Sequence, residues 1–445
     1  MSKKTIKALL DELDECNKEL ERFGEKSEKI ETYRKSVRPS YAKRLQRLQG
    51  YAQSLHDSLT LCWSCSCKSS HKSSLQLDPR GNLFAMGAKK AAASLQTSFH
   101  VSFSTLVSDS NNKQTPWIWQ AAKICMDDGP EPDNTAPPAM PSPKPKSTAS
   151  TYGPAADVEH RMAKSVSFGT PPPYAVVDPI ANPASPLQEV KDLCSAIQLL
   201  KSSPVIGFSL DSKRILRGGY SIDDGQTPTP ASNVVTLEDL LDRPPVVGGK
   251  RAKLSKKERY SLALTLASSV LYLNATPWLT DQWAAKDIFF HQNAATQPTN
   301  TGHSVDIAHP YVAPAAVERG SQVQTGQQPR GFHNKNTVLL ALAIALLELY
   351  FGTTAAKYQE AEHGAASDPS WHRNPWLLCS MIHTWAEEAQ DDLSAAFLSA
   401  VRHCLRCFSD PGASLQDAEF LQAAVESIVL PLQEELFQFL GKNPS

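Results

Sequence analysis

The residues best equipped for chemistry lie just after position 60. Cys62, Cys65, Cys67 and His71 form the pattern C-x-x-C-x-C-x-x-x-H. Thiolates and a neutral imidazole are the donors that tetrahedral zinc takes, and four of them close a structural site with no position left for water or substrate. The spacing is compact, unlike that of the common fingers, and no second knuckle follows. The same stretch also reads as a helix end with buried thiols and an exposed imidazole. A second pair, Cys404 and Cys407 beside His403, falls in the helical pattern VRHCLRCF, which puts both sulfurs on one face. A redox pair of this spacing belongs at the start of a helix that follows a strand, so these two read as core cysteines.

Other chemistry is missing by motif. There is no G-x-S-x-G, no H-E-x-x-H and no Walker loop. Asp and Glu are scattered, with no helix-spaced pair suited to acid–base work. No catalytic or cofactor-binding residue is assigned, and a structural zinc is the one cofactor the residues point to. The 445 residues carry 45 Lys and Arg against 46 Asp and Glu, a net charge of -1. That balance gives no general attraction to nucleic acid or an anionic bilayer. The longest apolar run, Thr337 to Phe351, is shorter than the about 20 residues a membrane span needs and contains Glu348. A buried helix is expected there, and no membrane span. The nine cysteines follow a charged, amphipathic start, MSKKTIKALLDELDE. Reduced thiols in a cytoplasmic protein are expected, with the nucleus as the alternative.

The elements that must position these residues follow from periodicity. Ile6, Leu9, Leu13, Cys16, Leu20 and Phe23 step like a coiled-coil seam, and Leu45, Leu48, Ala52, Leu55 and Leu59 repeat it. Residues 1–62 therefore read as a helical hairpin, with pairing to another chain as the alternative. Over 63–126, alternation around Leu75 and Leu77, at Phe99, Val101 and Phe103, and at Trp117 and Trp119 predicts three half-buried strands. Residues 127–187 are dense in Pro and poor in aliphatic periodicity, so disorder is predicted. Residues 188–250 carry a short helix, a strand pair around Asp211-Ser212 and a helix start at VVTLEDLL. Residues 251–445 carry helices at Lys256–Asn274, Asn336–Phe351, Leu377–Glu388, Leu393–Phe408 and Asp417–Leu440, the last broken near Pro431.

Several of these segments resemble protein kinases. ERYSLALTLASSVLYLN, Glu258 to Asn274, is similar to the long helix before the catalytic loop. DIFF, Asp287 to Phe290, is similar to the strand that closes that loop, and VLLALAIALLELYFG to the buried central helix of the helical lobe. The resemblance implies a small lobe of five strands and a helical lobe. The chemistry of that family is not matched. Lys123 stands where a phosphate-neutralising Lys would, but no G-x-G-x-x-G precedes it. Gln282 falls at the catalytic base, with Asp281 one position away. Asp306-Ile307-Ala308 and Ala313-Pro314-Ala315 are too close together to frame an activation loop, and Val338 replaces the anchoring Asp of the central helix.

The whole chain also resembles uncharacterised proteins of filamentous fungi that carry a domain of unknown function. That domain often follows HeLo-type helical domains of prion-inhibition and cell-death proteins. The residues that carry this resemblance are Trp63-Ser64-Cys65-Ser66-Cys67 with His71, the pair Pro277-Trp278, DIFF, and VRHCLRC. Together these readings predict an α+β, mainly α, degenerate kinase-like fold behind a helical hairpin. They imply a non-catalytic module that binds protein partners and not nucleic acid. The alternatives are a cell-death regulator acting through its N-terminal helices, or a divergent active kinase.

Overall fold

A computed structural model of the chain describes residues 41–84, 97–105, 117–127, 187–222, 230–244, 246–247, 250–251, 253–293, 305–314, 336–363 and 374–442, together with Lys7, Leu13, Glu15, Asn17, Lys18 and Arg22. Alternating burial builds its sheet. On β2 (Ser98–Thr105) Phe99, Val101 and Phe103 are buried, and on β3 (Trp119–Met126) Ala122, Ile124 and Met126 are. This is the period-two pattern of strands with one face on a core. Around them lie β1 (His71–Gln76), β4 (Val205–Leu210), β5 (Leu216–Ile222), β6 (Pro230–Thr236), β9 (Ile288–Asn293) and β10 (Tyr311–Val312). The order is β5-β4-β3-β2-β1-β10-β9-β6, and a separate two-stranded ladder pairs β7 (Val246–Val247) with β8 (Lys250–Arg251). All pairs in the large sheet are antiparallel except β3 with β4, which are parallel. A parallel pair cannot be joined by a tight turn, so the chain must cross over between them. It does so through the segment that ends in the short helix Leu193–Leu199.

The helices fill the buried side. In chain order they are α1 (Tyr41–Cys62), α2 (Gly81–Phe84), α3 (Leu193–Leu199), α4 (Leu237–Asp242), α5 (Lys256–Leu273), α6 (Thr337–Phe351), α7 (Ala355–His363), α8 (Pro375–Glu388), α9 (Ala395–Ser409), α10 (Ala418–Ala424) and α11 (Leu430–Phe439). Helix α5 from Leu262 onward and helix α6 are buried on nearly every side, and the sequence of α6 is apolar nearly all round as such burial requires. Ser255 and Glu258 start α5 with a reciprocal capping box. The end of α6 is set by Gly352, whose φ of +68° suits glycine, and by Arg259, which donates to the carbonyls of Leu349 and Tyr350. A π-helical turn at Val425–Val429 comes just before Pro431, so the missing donor falls at the start of α11. Among the described residues no single helix is long and apolar enough to cross a membrane.

One expectation changes, and another falls largely outside the described residues. The seam Leu45, Leu48, Ala52, Leu55 and Leu59 is buried in the main core. Gln422 on α10 accepts from the Tyr41 N–H at 2.9 Å, and Trp278 donates to the Ala52 carbonyl at 2.8 Å. The first seam lies outside the described residues apart from Leu13, which is helical and 58% exposed. The strands expected of a small lobe do not stand apart. They run on through β10, β9 and β6 in one mixed sheet, and Met1–Asp127 and Glu189–Ser445 form a single unit. The physical reason is that β1 pairs with β10 at Leu75↔Val312, which joins the early strands to those after α5. Of the second unit, Asp128–Gln188, only Leu187 and Gln188 are described, so the prediction for 127–187 falls outside the described residues but for its ends.

Candidate metal centre

Two tight turns gather the first ligands. After α1 ends at Cys62, the Lys68 N–H reaches the Cys65 carbonyl at 3.3 Å and the Ser70 N–H reaches the Cys67 carbonyl at 2.9 Å. These turns fold Cys65 and Cys67 back over the first residue of β1, His71. The fourth member is Cys194, the second residue of α3, whose N-terminus is capped by the Asp192 carboxylate. The Sγ atoms of Cys65, Cys67 and Cys194 and a ring nitrogen of His71 all lie within 4.8 Å of one another. Cys67 Sγ is 3.8 Å from Cys194 Sγ and 3.2 Å from His71 Nε2. Tetrahedral zinc with bonds of about 2.3 Å holds its sulfurs about 3.8 Å apart. A disulfide requires about 2.05 Å, and all four cysteines of this region, Cys62 included, are free.

The surroundings favour a bound cation over three bare thiols. His71 packs against both Trp63, at 4.6 Å between ring centres, and Trp117, at 4.9 Å and nearly parallel, and the two indoles also stack on each other at 6.1 Å. Its Nδ1 lies 3.3 Å from Thr105 Oγ1, its partner across the β1–β2 ladder. A hydroxyl accepting from Nδ1–H leaves Nε2, the nitrogen beside Cys67, as the lone-pair donor. Burial lowers the His71 pKa, with Asp192 pulling the other way, so the imidazole stays in its neutral, ligating form. Burial also raises Cys65, and it pushes Cys194 up to about 12 with help from the Cys67 thiol beside it. Without a cation these sulfurs hold their protons, while a divalent ion inverts that balance and ionises them. Among the described residues the buried Trp117 indole N–H has no oxygen or nitrogen acceptor, and its neighbour is the Cys194 sulfur, whose thiolate form it stabilises.

Cys62 stands apart from this group. It is the last residue of α1, and its Sγ faces the Val190 carbonyl at 3.4 Å. The local pattern thus contributes Cys65, Cys67 and His71, and Cys62 is replaced at the corner by Cys194, 127 positions from Cys67. Nothing in the spacing points to Cys194. The one local signal is the Asp192 cap, which marks a helix start and so the direction in which the Cys194 side chain leaves the backbone. Cys404 and Cys407 are buried on α9.

The residues aligned with kinase chemistry are dispersed in role. Lys123 faces His100 across the β2–β3 ladder and makes no ion pair among the described residues. Asp281 and Gln282 are exposed. Asp287 accepts from the Ala284 N–H at 2.9 Å, and Asp306 pairs with His309 at 2.8 Å. Val338 is joined to the preceding loop by its carbonyl, which takes the Trp283 indole N–H at 3.3 Å.

A mixed sheet backed by buried helices carries a Cys3His cluster at the junction of α1, β1 and α3. The chain belongs to the DUF7580 family, a domain of unknown function whose model matches residues 42–439. It matches no curated protein and no solved structure.

Proposed function

We propose that this chain is a non-catalytic binding module, related to the helical lobe of protein kinases and stapled by one structural zinc ion. The observation that carries the zinc is the convergence of Cys65, Cys67, His71 and Cys194 from three elements on one point. Four protein ligands leave no open coordination position, so the ion would order the fold and not activate water. Its place supports that role, because it ties the end of α1 and the start of β1 to α3, where the chain re-enters after residues 128–186. The non-catalytic half rests on Gln282 at the position of the base and on the Trp283–Val338 tie where the family carries an acidic anchor. The fungal, HeLo-associated context is part of the same reading and is supported by the residues around Trp63 and His71. Its partners are proteins.

The test is metal content. Full-length protein purified under reducing conditions without chelator should carry about one zinc per chain. A content near zero would sink the staple. The binding half is tested apart from it, by thermal shift with ATP and magnesium. Nucleotide bound to the native state raises the melting temperature, so no shift is expected, and a saturable shift would reopen the kinase alternative.

A further inference from the structure

Helix α6 carries one acid among apolar residues. Glu348 is 7% exposed and lies beside a cavity of about 580 Å³. That size fits small-ligand sites, which are about 300–1,000 Å³. The cavity is walled by Trp283, Leu340, Ile344, Pro375 and Leu378. Glu348 Oε1 accepts the Ala355 N–H at 2.8 Å, which caps the start of α7. The other oxygen accepts no hydrogen bond among the described residues. A glutamine would make the same cap, so the cap does not explain a carboxylate. A buried acid costs much more to ionise than to leave neutral unless a cation meets it.

We propose that this cavity binds a primary ammonium group on an apolar arm, with the free oxygen of Glu348 as its counter-ion. The charges around it favour a cation. Glu238 lines the same cavity and adds negative potential at Glu348. Lys286, the one Lys or Arg in the lining, makes no ion pair among the described residues. An ammonium suits the site better than a guanidinium, because a planar fork wants both carboxylate oxygens and Ala355 already holds one. The apolar walls accommodate a chain of methylenes such as that of lysine. Burial raises the Glu348 pKa to about 7, with Glu238 adding to the rise and the Ala355 N–H opposing it. Ammonium binding therefore strengthens as the pH rises through 7 and releases a proton.

This inference stands apart from the zinc, and its test leaves the zinc in place. The full-length protein is titrated calorimetrically with n-hexylammonium, n-hexanol and a capped pentapeptide with one central lysine. Hexylammonium should bind at least about tenfold more tightly than hexanol, the difference one charge-assisted contact supplies. Glu348→Gln should remove that preference and keep hexanol binding. Ile344→Trp, which fills a half-exposed part of the wall, should abolish both and decides the matter should Glu348→Gln not fold. Binding of the peptide assigns the ammonium to a protein partner, and binding of hexylammonium alone assigns it to a small molecule. Equal affinity for hexanol and hexylammonium overturns the proposal, as does unchanged binding by either variant. So does the absence of saturable heat from hexylammonium and the peptide at millimolar concentration.

Discussion

Serine at position 194 keeps the size of the side chain and loses the thiolate, leaving Cys65, Cys67 and His71 as three ligands around one corner. Cys194→Ser should bring zinc down from about one per chain to near zero, whereas Cys62→Ser should keep it, because Cys62 Sγ faces the Val190 carbonyl. Metal analysis of the two variants side by side checks both halves, and equal loss would return Cys62 to the site. Thr105→Val removes the acceptor that orients the His71 ring at 3.3 Å. A tenfold or greater loss of zinc affinity is expected, in the range for changes to groups that orient ligands. At this scale the sequence was legible where ligands are close along the chain. The short spacing of Cys65, Cys67 and His71 marks a candidate by itself. Cys194 joins the cluster only through the parallel β3–β4 crossover, a long-range pairing that no spacing rule reaches. Glu348 was visible as a charge in an apolar run, but its cavity depends on four separate segments meeting.

Elements were the most readable level, because period and punctuation act locally. The alternation at Phe99, Val101 and Phe103 became β2, and the apolar run from Thr337 became α6. Helix ends shifted by a few residues wherever a cap decided them. Helix α3 begins at Leu193 because Asp192 takes the Cys194 and Ser195 N–H groups. The same rules predict what substitutions do. Gly352→Ala places a β-carbon at a φ of +68° and 3.2 Å from Arg259 Nη1. It should cost about 1–2 kcal/mol, read from the urea midpoint. Ser255→Ala breaks the capping box of α5 and should cost about 1 kcal/mol by the same measurement. What the local pattern could not show is which helix a seam meets. Leu48 and Leu55 repeat like a coiled coil, yet both are buried in the main core, where α1 packs against α5 and α10.

For the whole molecule, two buried groups set opposing dependences on pH. Burial holds His291 down from 6.5 to about 4. The unfolded chain therefore takes up that proton first, and stability is lost as pH falls from 6.5 to 4. Burial holds Glu348 up from 4.5 to about 7, so the folded chain keeps a proton the unfolded chain releases, and stability is lost as pH rises from 4.5 to 7. The two slopes cancel over the shared window. Glu348→Gln removes one of them, and its gain over the wild type should be about 2 kcal/mol larger at pH 7 than at pH 5 in urea unfolding. Two lobes were expected of this molecule and one continuous sheet is found. The joining contact, Leu75 with Val312, spans just over half of the chain and leaves no local trace. The same sheet holds both ends of the stretch 128–186. The Asp127 N–H reaches the Leu210 carbonyl, Leu210 pairs with Leu216, and the Val190 N–H reaches the Leu216 carbonyl. The exit and re-entry points thus sit four strands abreast, roughly 14 Å apart. Closing a loop costs only about 0.6 kcal/mol more for each doubling of its length. The break between β3 and α3, whose two ends flank the tip of the β4–β5 hairpin, is therefore a splice port, at which the length of the intervening sequence can change at little cost to the sheet.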